Sequence, residues 1–266
     1  MLTYPEIDPV ALSLGPVQIH WYGLMYLLGF LCAYGLGVWR AKRIGWTSEQ
    51  VSDLIFYGAV GVVIGGRLGY VFFYGFDRLA HDPLWAFRVW EGGMSFHGGL
   101  LGVLAAMMLF AKQYKVKWFD VTDFIAPIAI PGLFFGRIGN FIGGELWGRP
   151  VQNPDFPLAM IFPHVDELAR HPSQLYQAFG EGLVLFIVVW IFTMKPRPRM
   201  AASALFLIGY GIARFVNEFF REPDSDQGFV LFEWMTKGQM LTAPMIALGI
   251  VLMLLAYRRP VVNGVR

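Results

Sequence analysis

The sequence predicts an all-α integral membrane protein with about seven transmembrane helices, its N-terminus outside and its C-terminus inside. Three observations predict it. Hydrophobic residues make up 56% of the 266-residue chain and charged residues only 15%, where a soluble domain carries roughly 25% charged. Apolar runs recur at close to the roughly 20 residues that a bilayer-crossing helix needs. Lysine and arginine cluster after alternate runs, and such asymmetry sets the orientation of a bundle.

The runs are 19–38, 51–74, 96–111, 121–136, 174–194, 201–220 and 239–257. Arg40, Lys42 and Arg43 follow the first, and Lys112, Lys115 and Lys117 the third. Lys195, Arg197 and Arg199 follow the fifth, and Arg258, Arg259 and Arg266 the seventh. One topology puts all four clusters inside. The opposite side then holds most of the acids, Asp155, Asp166, Glu167, Asp224, Asp226 and Glu233 among them.

Residues 1–266 read as a single polytopic membrane domain. Within it, the Pro-, Gly- and acid-rich segment 137–172 reads as a small external subdomain. The first residues, MLTYPEIDPVALSLGPVQ, have no basic stretch and do not read as a secretory signal. The net charge of +2 gives no basic footprint for nucleic acid. The one cysteine, Cys32, allows no internal disulfide and sits in an apolar run, where it reads as a small buried hydrophobe. No histidine or cysteine spacing predicts a metal site.

The charges inside the runs carry the chemistry, because a charge in the bilayer core costs several kcal/mol. Arg67 lies in GVVIGGRLGYVFFYG and Arg214 in LFLIGYGIARFVNEFFREPD. Either could simply bond a neighbouring helix's carbonyls. Arg214 has company, however. Tyr210, Arg214 and Glu218 follow at i, i+4 and i+8 and share one helix face. Arg221 lies close behind. Glu218 neutralises Arg214, or Arg214 binds an anion, since a guanidinium suits phosphate oxygens.

A second cluster is GRIGNFIGGELWGRP, residues 136–150. Its five glycines predict that the fourth helix stops near residue 136. Packing glycines and an interfacial Trp147 account for part of it. Arg137, Asn140 and Glu145 within nine residues are left over. The third cluster is RVWEGGMSFHGGLLGV, which holds His97 at the start of the third run. His97 is a candidate base, because imidazole titrates near neutral pH, or a structural hydrogen-bonding group. Tyr22, in HWYG, reads first as an interfacial aromatic. RHPSQLYQ reads first as a helix start capped by Ser173, with His171 beside it.

Together the motifs HWYGLMY, GGRLGYVFFY, RVWEGGMSFHGGLLG, GRIGNFIGGELWGR, RHPSQLYQ and GYGIARFVNEFFREPD resemble those of the bacterial prolipoprotein diacylglyceryl transferase family. The likeness runs from the first span to the last. It implies a seven-span inner-membrane enzyme that needs no cofactor. Such an enzyme moves diacylglyceryl from phosphatidylglycerol to the lipobox cysteine of a prolipoprotein and releases glycerol phosphate. The resemblance implies that Arg137 and Arg214 are the essential arginines and His97 the candidate base. It implies lipid-binding roles for Tyr22, Asn140, Gly148, Tyr210 and Arg137, with Glu145, Glu218, His171 and Arg221 in support. The competing class is a transporter or channel that uses the same arginines for an anionic substrate. The runs 174–194 and 239–257 argue against it, since apart from Glu181 they are nearly free of ionisable groups.

Overall fold

The computed structural model describes residues 2–15, 17–153, 155–223, 229–231 and 235–258. The expected charges Asp224, Asp226, Glu233, Arg259 and Arg266 lie outside these described residues. The chain opens with short strands β1 (Leu2–Thr3), β2 (Val10–Leu14) and β3 (Val17–His20). Helices α1 (Trp21–Ala41), α2 (Ser48–Tyr74), α3 (Phe76–His81), α4 (Phe96–Gln113) and α5 (Trp118–Ile142) follow. Then come β4 (Met160–Ile161), β5 (Ala169–Arg170) and one unbroken helical run. That run is α6 (Ser173–Gln177), a π-helical turn (Ala178–Val184) and α7 (Leu185–Thr193). The chain continues with α8 (Ala201–Asn217), β6 (Phe229–Leu231), β7 (Met235–Thr236) and α9 (Lys237–Arg258).

The architecture is all-α and multi-pass. Among the described residues, six helical segments are long and apolar enough to cross a membrane, and α8 is a shorter apolar helix. The short strands are an addition to the expected all-helical chain. β2 and β3 form an antiparallel hairpin, and β1 pairs in parallel with β4, which pairs antiparallel with β5. The N-terminal residues thus complete a three-stranded layer with the segment after α5. A small core of Tyr4, Met160 and Phe162 holds that layer, and Trp147 packs onto it.

Two compact units emerge. One contains the residues up to Gly35 and those from Asp123 onward, and the other contains Leu36–Thr122. In the Leu36–Thr122 unit, α2 crosses α4 on glycines. A methyl group on Gly65 would lie 2.8 Å from the Cα of Gly102, and one on Gly69 2.8 Å from the Cα of Gly98. Lipid gives helices no hydrophobic reason to associate, so small residues that admit close packing hold such a crossing. Two of the glycines around His97 therefore belong to helix packing.

In the same unit Arg67 is only 3% exposed. Its Nε donates to the Ala86 carbonyl at 3.0 Å, and Nη2 to that of Trp85 at 2.5 Å. Nη1 donates to the carbonyls of Gly92 and Gly93, at 2.5 and 3.3 Å. The guanidinium also lies 4.6 Å from the Trp85 ring centroid. Of the two roles open to Arg67, the structural one is realised: it ties the 85–93 connection to α2.

In the other unit α5 is longer than the glycines suggest. It continues through Gly136 and Gly139 to Ile142, where the expected stop was residue 136. The apolar period persists through Ile138, Phe141 and Ile142, and Gly139 packs against Tyr22 of α1. The helix ends where left-handed backbone is supplied, at Gly144 with φ +66°. Gly144 N–H donates to Phe141 O at 3.0 Å, and Glu145 N–H to Asn140 O at 2.9 Å. This pair of bonds is a Schellman closure. Pro127 and Pro131 lie inside the helix.

Asp123 on α5 caps the start of α8. Its Oδ2 accepts from Met200 N–H at 2.6 Å, and its Oδ1 from Ser203 N–H at 2.8 Å. A carboxylate there suits the positive end of the helix dipole. Ile130, Leu185 and Val189 form the apolar core between α5, α7 and α8, with Leu205, Phe206 and Tyr210 against it.

Candidate active site

Immediately beyond that apolar core, in the unit that holds α5 and α8, the buried residues turn polar. Gln174, Gln177 and Glu181 follow one buried face of the helical run, each 0% exposed. Leu185 and Val189 continue the same face as apolar core. The π-helical turn carries Glu181. Such turns are rare and recur at functional sites.

Glu181 is the hub of a charge cluster. Its Oε2 lies 3.1 Å from Arg137 Nη2, contributed by the last turns of α5. Its Oε1 lies 3.8 Å from Arg214 Nη1 on α8 and accepts from Asn217 Nδ2 at 3.4 Å. Arg214 Nη2 pairs with Glu218 Oε2 at 3.0 Å, and Arg221 Nη1 lies 3.7 Å from Glu218 Oε1. Thr236, at the approach to α9, donates to Glu218 Oε1 at 3.0 Å. The Tyr210 hydroxyl reaches the Arg137 guanidinium. Among the described residues, three guanidiniums thus face two carboxylates, all buried or nearly so. Arg214 Nη1 is buried and has no hydrogen-bond acceptor among the described residues. A guanidinium donor left unfilled in this way is free to bond an anion's oxygen.

The structure brings together the expected Arg137, Tyr210, Arg214, Glu218 and Arg221. Asn140, one turn beyond Arg137, is 7% exposed and lies within hydrogen-bonding reach of the Tyr22 hydroxyl. Tyr22 also contacts Tyr26, with 3.3 Å between the hydroxyl oxygens. Glu145 is exposed beyond the end of α5, and its carbonyl accepts from Gln174 Nε2 at 2.6 Å.

Gly148 is walled in by backbone. Its N–H donates to the His171 carbonyl at 2.9 Å. Its own carbonyl accepts from Arg170 Nη1 at 3.0 Å. A methyl group there would stand 2.5 Å from the Phe220 carbonyl oxygen. Arg149 fastens this turn to the end of α8, donating to the carbonyls of Arg221 at 2.9 Å and Glu218 at 3.4 Å.

Arg170 binds Asp166 at 2.6 Å and Glu222 at 3.1 Å. The Arg170 guanidinium holds the Asp166 carboxyl below its usual range. His171 Nδ1 lies 3.2 Å from the Tyr176 hydroxyl. Its ring meets those of Phe156, Tyr176 and Phe220 edge to face. Burial among them pushes the imidazole pKa down. His97 belongs to the Leu36–Thr122 unit, exposed in the first turn of α4, with its ring edge-on to Phe96.

Glu181 is the residue that sequence reasoning undervalued. It stood out only as an isolated acid in an apolar run. That isolation was itself a signal, since a carboxylate at membrane depth requires a cationic partner.

Residues 9–255 match the family model described as prolipoprotein diacylglyceryl transferase. Among curated relatives, the phosphatidylglycerol–prolipoprotein diacylglyceryl transferase of Acinetobacter baumannii is 65% identical over 263 residues. That match covers 98% of this chain and 97% of the relative. The protein of the same description from Acinetobacter baylyi is 65% identical, with 98% and 96% covered. The one from Psychrobacter arcticus is 56% identical, with 97% and 96% covered.

Proposed function

The chain belongs to the prolipoprotein diacylglyceryl transferase family, and from that premise we propose how its buried cluster serves the reaction. The protein is a multi-pass inner-membrane enzyme. It transfers the diacylglyceryl group of phosphatidylglycerol to the cysteine thiol of a prolipoprotein lipobox, leaving a thioether and glycerol phosphate. In this reaction the cysteine sulfur forms a bond to the glycerol carbon that carries the phosphate ester. The carbon–oxygen bond breaks with its electron pair, and the leaving group becomes a phosphate monoester. A singly charged diester thereby gains a second negative charge.

The observation that carries the reading is that Arg137 and Arg214 converge on one buried carboxylate, Glu181, while Arg214 Nη1 has no hydrogen-bond acceptor among the described residues. Preorganised donors aimed at charge that develops in the transition state are usually the largest catalytic term. Arg137 and Arg214 hold the phosphate and stabilise the departing oxygen. Tyr22, Asn140 and Tyr210 bind the lipid headgroup beside them. Gly148 shapes the backbone wall, and Glu145, Glu218, His171 and Arg221 support it. His97 accepts the thiol proton, since the thiolate is the nucleophile.

In our reading α8 crosses the membrane as the seventh span. The N-terminus lies outside and the C-terminus inside, supported by the alternating basic clusters. Segment 137–172, with the strands that follow α5, then forms the external subdomain of a single membrane domain.

The deciding experiment incubates purified protein with headgroup- and glycerol-labelled phosphatidylglycerol and a lipobox peptide. Diacylglyceryl label is expected on the cysteine peptide, with glycerol phosphate released in equal amount. Transfer to a Cys→Ser peptide, or none to the cysteine peptide, would sink the assignment.

A further inference from the structure

Glu181 has no role in the chemistry above, yet it is fully buried and touches both arginines. We propose that Glu181 is a positioning residue, whose shared carboxylate holds Arg137 and Arg214 in place and then cedes Arg214 to the arriving phosphate. This rests on the reading of the cluster as the phosphate site.

Three observations carry it. Arg137 is held firmly, with Nη2 at 3.1 Å, whereas Arg214 Nη1 stands off at 3.8 Å. Arg214 Nη1 is the same buried donor that lacks a hydrogen-bond acceptor. It is aimed at the carboxylate without bonding it, the state of a donor that can be taken over. The second observation is that Asn217 Nδ2 holds Glu181 Oε1 at 3.4 Å, so the carboxylate does not simply swing onto Arg214. The third is the π-helical turn, a local departure from the α-helix confined to Ala178–Val184 and carrying this one acid.

The physical consequence is a competition. The Glu181 carboxylate and a phosphate oxygen seek the same guanidinium donors. Before the phosphate binds, Glu181 prevents two like charges from repelling one another out of register. After it binds, Glu181 lowers the site's affinity for the product, which carries more negative charge than the substrate. Removing the charge should therefore tighten product binding while slowing turnover. A merely structural carboxylate would weaken both when lost.

The test uses the purified full-length protein as wild type, Glu181→Gln and Glu181→Asp. Glycerol phosphate binding is titrated directly, and kcat and KM for phosphatidylglycerol are measured on the same preparations. Glu181→Gln is expected to bind glycerol phosphate at least about threefold tighter and to lose at least about tenfold in kcat. Glu181→Asp keeps the charge but withdraws it by one methylene. It should shift both quantities in the same direction by less, and it serves alone if Glu181→Gln does not fold. Unchanged or weaker product binding in the folded variants overturns the proposal, as does kcat within about twofold of wild type. A wild type that binds glycerol phosphate but transfers no label sinks the transferase reading instead, and the binding comparison still decides this one. A wild type that transfers label but binds no glycerol phosphate overturns this proposal and leaves the transferase reading standing.

Discussion

The deep arginines of this molecule are treated in two opposite ways. Arg67 is surrounded by carbonyl oxygens, and four of them accept its protons. Each of its three nitrogens donates to at least one of them. Arg137 and Arg214 instead share the Glu181 carboxylate, and Arg214 keeps a buried donor without an acceptor among the described residues. Carbonyl dipoles satisfy a guanidinium geometrically and remain neutral, so they make a permanent clasp. Carboxylates compensate the charge but compete with any other anion, which is why we propose this cluster, and not the clasp at Arg67, as the phosphate site. The difference is why the same residue type, equally expensive to bury, ties down a loop in one unit and gathers toward chemistry in the other.

Substituting lysine tests that distinction most severely. Arg214→Lys keeps the charge but loses the planar fork that faces Glu181 and Glu218 together. Loss of one such donor typically costs about 10²–10³-fold in kcat. Glycerol phosphate release by purified Arg214→Lys should fall by that much while its unfolding temperature stays near wild type. Near-wild-type turnover would put Arg214 in the same class as Arg67.

The next effect is in stability. Arg67→Gln strands several carbonyls and the Trp85 ring that Arg67 covers. Each hydrogen bond to a charged group is worth about 1.5–3 kcal/mol, so the variant should lose about 3 kcal/mol or more of stability. Thermal unfolding in lipid nanodiscs measures it. Turnover per folded molecule should remain within about twofold of wild type. A large loss of turnover with unchanged unfolding would break the comparison from the other side.

Much of this contrast was legible in the sequence. Tyr210, Arg214 and Glu218 at four-residue spacing announced a polar face, and the structure pairs Arg214 with Glu218. The apolar runs gave the helices, because burial in lipid is encoded locally. The end of α5 was less legible. Glycine reads as a helix breaker in water, but in a membrane it also packs helices, and Gly139 does so against Tyr22. Carbonyl bonding was one of the two readings open to Arg67, but which carbonyls it meets was hidden, since backbone carbonyls have no letter in a sequence. The π-helical turn at Glu181 was hidden for a similar reason. It is set by how a whole face must meet α5 and α8, not by the residues of the turn.

His171 gives the smallest and most discriminating effect, because it tests whether the wall beside the cluster behaves like Arg67. The imidazole is caged by Phe156, Tyr176 and Phe220, and burial depresses its pKa below the ordinary 6.5. The unfolded chain therefore takes up this proton first as pH falls. Stability from the neutral, caged ring is complete above about pH 6.5 and is lost as pH drops through that value toward the folded pKa. The unfolding temperature of the wild type should decline between about pH 7.5 and 5.5. His171→Phe fits the same aromatic cage and cannot titrate. It gives up the hydrogen bond to Tyr176, so it starts lower, but its decline over that range should be shallower. Equal slopes would mean that the ring is protonated as readily in the fold as outside it. A shallower slope with turnover retained would class this wall with the clasp at Arg67, as scaffold for the arginines rather than part of their chemistry.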